Sequence, residues 1–320
     1  MHSNKKLLVS HAPFWHDGSS LSARYYNIML MALIPVIAGI LTYGTRALGV
    51  VALSVSTAII WEYLMNRVAR QPVSIGDGNA ALIGLLLAMM FPATMPWWAV
   101  IVGTFVAVII AKGIFGGLGA NPFNPVVISV TILMVSWPDF LDFNYMLADY
   151  QTGFDMAYPL VSAKYFGTGQ IEAFSTMDLL LGRQSGGIGA TFGLGIIIGG
   201  IYLMARGYIR WEIVVSFLVG VFITALLFNK IGDSTQYAGP MVHLLTGYTL
   251  IGAVFLATED SSSPVNFVPM LIYGACGGLL TVLIRNIGVY VDGVVFAVLI
   301  INLVNPLVDK IRPKAMGRVV

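Results

Sequence analysis

"LLLAMMFPATMPWW", residues 85–98, is where the fold of this chain is decided. An apolar run over 80–91 stops at Pro92, and another begins almost at once at Trp97. A helix needs about 20 apolar residues to cross a hydrocarbon layer of roughly 30 Å, so the first run is short for a crossing. The second half of the chain has a counterpart: "FLAT" (255–258) closes an apolar run as "FPAT" (91–94) closes this one. Short, interrupted membrane helices at matching positions of two halves point to a central site, because their broken backbone needs polar company.

The composition sets the same frame. Of 320 residues, 58% are hydrophobic and 10% charged, against about 25% charged in an ordinary soluble domain. Apolar runs recur at 26–43, 47–64, 80–91, 97–110, 125–137, 190–205, 213–228, 241–257, 267–284 and 291–307. A polytopic membrane protein of ten helices is expected. Net charge is +2 with scattered basic residues, which excludes a nucleic-acid footprint. A single cysteine, Cys276, excludes a disulfide framework or a CxxC metal site, and His2, His11, His16 and His243 do not cluster as ligands. No glycine-rich dinucleotide fingerprint stands between a strand and a helix, and the polar first 23 residues do not read as a cleavable signal.

Charge then orients the runs. Lys5, Lys6 and Arg24 precede the first, and Arg67 with Arg70, Lys112, Arg206 with Arg210, and Lys310, Arg312, Lys314 and Arg318 follow the second, fourth, sixth and tenth. All fall on one side, read as cytoplasmic together with both termini. The mixed stretch after the fifth run falls on the other side and carries Asp139, Asp142, Asp149, Asp155, Glu172 and Asp178 against Lys164 and Arg183. Arg46, Lys230 and Arg285 depart from the rule singly. The expected organisation is a cytoplasmic segment 1–23, a five-helix repeat 24–137, an acidic outside loop 138–188, a second five-helix repeat 189–309 and a basic cytoplasmic tail 310–320. Five crossings per half make two repeats inverted relative to each other. "NPFNP" (121–125) and "NLVNP" (302–306) also echo, at different distances from their "AT".

Three places could carry chemistry. In "AKGIFGGLGANPFNP" (111–125), Gly116, Gly117 and Gly119 permit close approach, Asn121 and Asn124 offer amides, and Phe123 offers a ring. The plain alternative is a glycine-rich turn capped by Asn before a short helix. Charges in or near apolar runs come next: Asp292 in "VYVDGVVF", Glu259 and Asp260 after the eighth run, and Lys112 after the fourth. Asp292, Glu259 and Asp260 are candidates for an ion route, since carboxylates suit hard cations and protons. The plain alternative places each at an interface with water. Third is "EAFSTMDLLLG" (172–182), where Ser175 and Thr176 before an apolar run read as a helix cap favoured by Asp178.

The stretch 85–125 as a whole, with "HLLTGYTLIGAVFLATED" (243–260), "IRNIGVYVDGVVFAVLIINLVNPLVD" (284–309) and "SGGIGATFGLGIIIGGIYL" (185–203), resembles the RnfD/NqrB family of membrane proteins, over nearly the whole chain. The compact length and the "RPKAMG" tail are more similar to the RnfD branch. The resemblance implies an all-α, urea-transporter-like fold of two inverted five-helix repeats. It also implies a flavin-carrying subunit of a redox-driven ion pump, passing electrons between reduced ferredoxin and NAD⁺ with movement of Na⁺ or H⁺. Implied partners are other membrane subunits, a periplasmic flavoprotein and cytoplasmic iron–sulfur subunits. In this family FMN is attached by a phosphoester to a Thr in a pattern near Asp-x-x-Ser-x-Ala-Thr. Here that stretch runs from Glu172 to Asp178, with Asp178 where the acceptor belongs. A shifted acceptor at Thr176 and a flavin held without a covalent bond both remain open. A second flavin, riboflavin, is implied near the Gly/Asn/Phe stretch. Two other classes stand beside this reading: a solute channel of the same architecture, and a scaffold protein of the complex without flavin.

Overall fold

In the computed structural model, residues 20–70, 72–143, 158–167, 174–232 and 236–311 are described, and among them there are helices and turns but no strand. Lys5, Lys6, Asp149, Asp155, Glu172 and the basic residues from Arg312 onward lie outside the described residues. The helices are α1 (Leu21–Tyr43), α2 (Thr45–Val68), α3 (Asn79–Met90), α4 (Trp97–Phe105, continuing as a π-helix over Val106–Gly113), α5 (Pro125–Ser136), α6 (Pro159–Phe166), α7 (Thr176–Leu181), α8 (Gly193–Ala205), α9 (Trp211–Ile231), α10 (Pro240–Leu245), α11 (Thr249–Ile251, continuing as a π-helix over Gly252–Leu256), α12 (Phe267–Ile287) and α13 (Val294–Val308). Four of them, α1, α2, α9 and α12, are long and apolar enough to cross a membrane, and several shorter apolar helices pack among them. Leu41 and Ile231 are each 81% exposed, among many exposed large apolar side chains on these helices. A surface of that kind belongs in lipid, and this is an integral membrane protein.

Each apolar run of the sequence is helical, but one is not a single helix. The run 241–257 breaks between α10 and α11, where Gly247 takes φ +64°. The final run starts as a helix only at Val294, so Asp292 precedes α13. The run expected from residue 190 likewise becomes helical at Gly193, which leaves Thr191 just before α8.

The interrupted helices are closed by groups from elsewhere in the chain, as buried backbone requires. At the end of α3, the carbonyl of Met89 accepts from the Gly189 N–H at 3.0 Å and that of Phe91 from the Ile188 N–H at 3.0 Å. The Met90 carbonyl accepts from the Tyr248 hydroxyl at 2.6 Å. Residues 184–190, which join the end of the stretch read as an outside loop to the start of the second expected repeat, are therefore a buried strap against α3. Gly187 has to be glycine here, since a Cβ would lie 2.5 Å from the Met89 carbonyl oxygen.

Helices α9 and α12 form the closest pair. Small residues let their backbones meet: a Cβ on Gly220 would lie 2.5 Å from the Ala275 carbonyl oxygen, and one on Gly278 would strike that of Phe217. Gly274 and Gly278 are four apart on one face of α12, the spacing that suits tight helix pairing in lipid.

Candidate functional site

Helices α5 and α13 run antiparallel through the centre. Asn124, before α5, donates its N–H to Asn302 Oδ1 at 3.1 Å, well along α13. At the opposite end, Met134 of α5 and Asp292 before α13 line one cavity. About 15 Å of helix separates these two ends.

At the Asn124 end lies a cavity of about 60 Å³ lined by Arg24, Asn79, Lys112, Asn121, Asn124 and Glu259, with Thr258 and Asp260 also on its wall. Asn124 caps α5, its Oδ1 accepting from the N–H groups of Val126 at 2.9 Å and Val127 at 3.3 Å, while its Nδ2 donates to the Leu256 carbonyl at 3.0 Å. The plain cap is therefore present, and the same side chain also closes the π-helical end of α11. Asn121 Nδ2 donates to Glu259 Oε1 at 3.2 Å, and Glu259 Oε2 accepts from the Ser262 N–H at 2.9 Å. Arg24 and Asp260 form an ion pair at 2.7 Å. Two buried polar atoms on this wall, Arg24 Nε and Asn79 Oδ1, have no partner among the described residues. A donor and an acceptor left without partners on two residues that line a cavity are consistent with a small polar ligand there.

Lys112 also lines a neighbouring cavity of about 170 Å³, with Gly116, Gly117, Asn66, Ser74 and Glu62. Lys112 Nζ is 2.9 Å from Glu62 Oε1, and the two side chains are 6% and 5% exposed. The Ser74 hydroxyl donates to the same oxygen at 2.6 Å, and Asn66 Nδ2 donates to Ser74 Oγ at 2.8 Å.

The opposite end holds a larger cavity of about 360 Å³ with Asp139, Asp142, Tyr158, Tyr248, Tyr290 and Asp292 on its wall. Asp292 is fully engaged: Oδ1 accepts from Arg285 Nη2 at 2.9 Å, Arg285 Nε at 3.3 Å and the Val294 N–H at 3.1 Å, and Oδ2 accepts from the Tyr248 N–H at 2.7 Å. Arg285 in turn donates to the carbonyls of His243 at 2.8 Å and Thr246 at 3.3 Å, the free end of α10. This buried pair stitches the break between α10 and α11, and it accounts for Arg285 departing from the charge rule.

The residues singled out in sequence thus divide. Asn121, Asn124, Glu259 and Asp260 meet at one cavity, Gly116 and Gly117 line its neighbour, and Asp292 lies at the opposite end. Gly119 and Phe123 line none of these walls. Ser175 caps α7, accepting from the Asp178 N–H at 3.1 Å and donating to Asp178 Oδ2 at 2.7 Å. That hydrogen bond, helped by Arg183 at 3.1 Å, holds the Asp178 carboxyl below the usual aspartate range. Thr176 is exposed at the first position of α7. Sequence reasoning passed over Glu62 and Asn79. A carboxylate inside the apolar run "IIWEYLM" (59–65) was the available signal for the first.

The comparisons with known proteins agree with one another. The profile of the NQR2, RnfD, RnfE family matches residues 8–317, and the chain belongs to that family. It is 34% identical to the D subunit of the proton-translocating ferredoxin:NAD(+) oxidoreductase complex of Clostridium ljungdahlii, over 94% of this chain and 93% of the relative. It is 34% identical to the D subunit of the ion-translocating oxidoreductase complex of Cronobacter sakazakii, over 97% and 98%. It is 33% identical to the D subunit of the Na(+)-translocating ferredoxin:NAD(+) oxidoreductase complex of Acetobacterium woodii, over 95% and 93%.

Proposed function

We propose, from its membership of the NQR2, RnfD, RnfE family, that this chain is a membrane subunit of a redox-driven ion pump and holds flavin within it. The complex passes electrons between reduced ferredoxin and NAD⁺ and moves Na⁺ or H⁺; this chain alone catalyses nothing. Near-full-length identity to the D subunits of such complexes supports the role in the pump. The observation that carries the flavin reading is the Asn121/Asn124 cavity, with the unpartnered Arg24 Nε and Asn79 Oδ1 on its wall. An isoalloxazine ring offers carbonyl acceptors and an N–H donor to such groups, and supplies reversible electron uptake when bound. In this reading Asn121 and Asn124 orient a non-covalent flavin such as riboflavin. FMN belongs near Thr176, whose exposed hydroxyl at the start of α7 is open to attachment. Other membrane subunits, a periplasmic flavoprotein and cytoplasmic iron–sulfur subunits complete the chain of carriers.

The same reading takes the helical runs as ten crossings in two inverted repeats with both termini cytoplasmic. The antiparallel α5 and α13, and the breaks after α3 and within 241–257, favour it. Glu259 and Asp260, beside the first cavity, and Asp292, at the opposite end, are the carboxylates offered to the moving ion. Asp292 can serve only if its pair with Arg285 opens.

The test is the flavin itself. Purified complex should show flavin absorbance, and Asn121→Leu should lose its non-covalent share. In-gel fluorescence of the denatured chain, beside Thr176→Val, reads the covalent share. A band lost only in that variant assigns the acceptor, and a dark band from yellow protein leaves all flavin non-covalent. A colourless, folded complex would overturn the flavin reading and leave a channel or scaffold.

A further inference from the structure

Two interrupted helices, α3 and α11, lead from one buried residue, Tyr248, to the Asn121/Asn124 cavity. The Tyr248 hydroxyl donates at 2.6 Å to the carbonyl of Met90, the last residue of α3. Tyr248 is also the N-cap of α11. From this joint α3 reaches back about 17 Å to Asn79. Asn79, Leu82, Ile83 and Leu86 of that helix line the cavity. The π-helical end of α11 reaches the same wall with Val254 and Phe255, and Asn124 Nδ2 binds its Leu256 carbonyl. Both broken helices thus have one end at Tyr248 and the other at the cavity.

Tyr248 also lines the larger cavity at the opposite end, with Asp139, Asp142 and Asp292, and no Lys, Arg or His lines that wall. Three carboxylates, one of them paired with Arg285, favour a cation there over an anion. Asp292 Oδ2 holds the Tyr248 N–H at 2.7 Å. An ion that draws Asp292 away from Arg285 therefore also releases the backbone of the joint. The joint has room to shift, since Gly247 beside it has glycine's wide backbone range and α11 runs on in wide π-helical turns. Such turns concentrate at functional sites.

We infer that Tyr248 is a positioning residue that couples the Asp292 carboxylate to the flavin cavity. Movement of Asp292 shifts the Tyr248–Met90 hydrogen bond and with it α3 and α11, whose far ends shape that cavity. This rests on the flavin and ion readings above. Tyr248 carries neither electron nor ion. The coupling is reciprocal, so a change in the bound flavin alters the hold on Asp292 as the ion alters the cavity. Helix α13 offers another connection between the two ends, through Asn302 and the Asn124 N–H.

The experiment uses the whole complex in proteoliposomes, driven by reduced ferredoxin and NAD⁺. A voltage-sensitive dye reads charge movement, which serves for Na⁺ and H⁺ alike. Tyr248→Phe removes the hydroxyl and keeps the ring and the backbone N–H. Electron transfer and bound flavin should stay within about twofold of wild type, while charge moved per electron falls by about fivefold or more. Unchanged charge per electron overturns the inference and hands the coupling to another connection such as α13. Equal loss of electron transfer and pumping overturns it too, because that marks a merely structural joint. Should the variant fail to assemble, amide exchange in wild-type complex decides. Reducing the flavin should change exchange at 89–91 and 248–252 by about fivefold or more, with 221–228 in α9 unchanged. No change at the joint overturns the inference. Wild-type complex that holds no non-covalent flavin, or moves no charge, overturns the reading beneath it as well.

Discussion

Two buried ion pairs sit at helix ends, one at the end of α4 and one at the end of α12, and they are built differently. Arg285 and Asp292 saturate each other and the backbone: Arg285 reaches two carbonyls besides its carboxylate, and Asp292 takes two N–H groups besides its guanidinium. Glu62 and Lys112 share one close contact, a hydroxyl leans on the same oxygen, and cavities lie on either side. The planar guanidinium, with its five fixed donors, suits stitching a broken helix. The first pair therefore closes a broken helix, and the second leaves one buried carboxylate oxygen, Glu62 Oε2, without a partner among the described residues.

The largest expected effect tests the saturated pair. Arg285→Ala strands a buried carboxylate and opens the α10–α11 break, a loss of about 3–5 kcal/mol. Little assembled protein should reach the membrane, and Arg285→Met with Asp292→Asn should recover part of it. Equal abundance of Arg285→Ala and wild type would abolish the distinction. Glu62→Gln should cost less, roughly 1.5–3 kcal/mol for the lost charged hydrogen bond, because the adjoining cavity lets Lys112 find water. Thermal unfolding in detergent measures both, and the comparison fails if their order reverses.

Smaller effects belong to the α7 cap, outside both pairs. Ser175→Ala should loosen α7 by about 1 kcal/mol, visible as faster amide exchange over 178–182 and nowhere in α3 or α11. Asp178 is held below its ordinary value by Ser175, so the stability it lends is present above the unfolded pKa, near 3.8. That contribution is lost as pH falls through the folded value below it. Exchange in α7 should therefore rise only under strong acid, and a rise already at pH 6 would assign the cap to another group.

Much of this was legible in the residues. Length and apolarity marked out the helical runs, and Pro92 marked the early end of α3. Asn124 announced its cap through the proline that follows it. The echo of "NPFNP" and "NLVNP" turned out to be contact, since Asn124 and Asn302 are hydrogen-bonded. The two pairs were harder to see, because each depends on partners brought together by packing. Glu62 finds Lys112 from another helix, and Arg285 looked like an exception to the charge rule until its carboxylate and carbonyls surrounded it. The break at Gly247 was hidden for the same reason: hydropathy over 241–257 is continuous, and tertiary hydrogen bonds stop the helix.

The strap that closes α3 sets a clock on biosynthesis. Ile188 and Gly189 leave the ribosome about a hundred residues after the carbonyls of Met89 and Phe91 that they satisfy, or roughly 5–20 s later. For that interval the first half has a helix end without its permanent partners, at the depth where Tyr248 too must still arrive. The nascent chain needs a temporary host for those carbonyls, such as water in the insertion channel or a neighbouring protein of the complex. A truncation after α5 should therefore be recovered bound to insertion or quality-control factors, not as an independent five-helix unit.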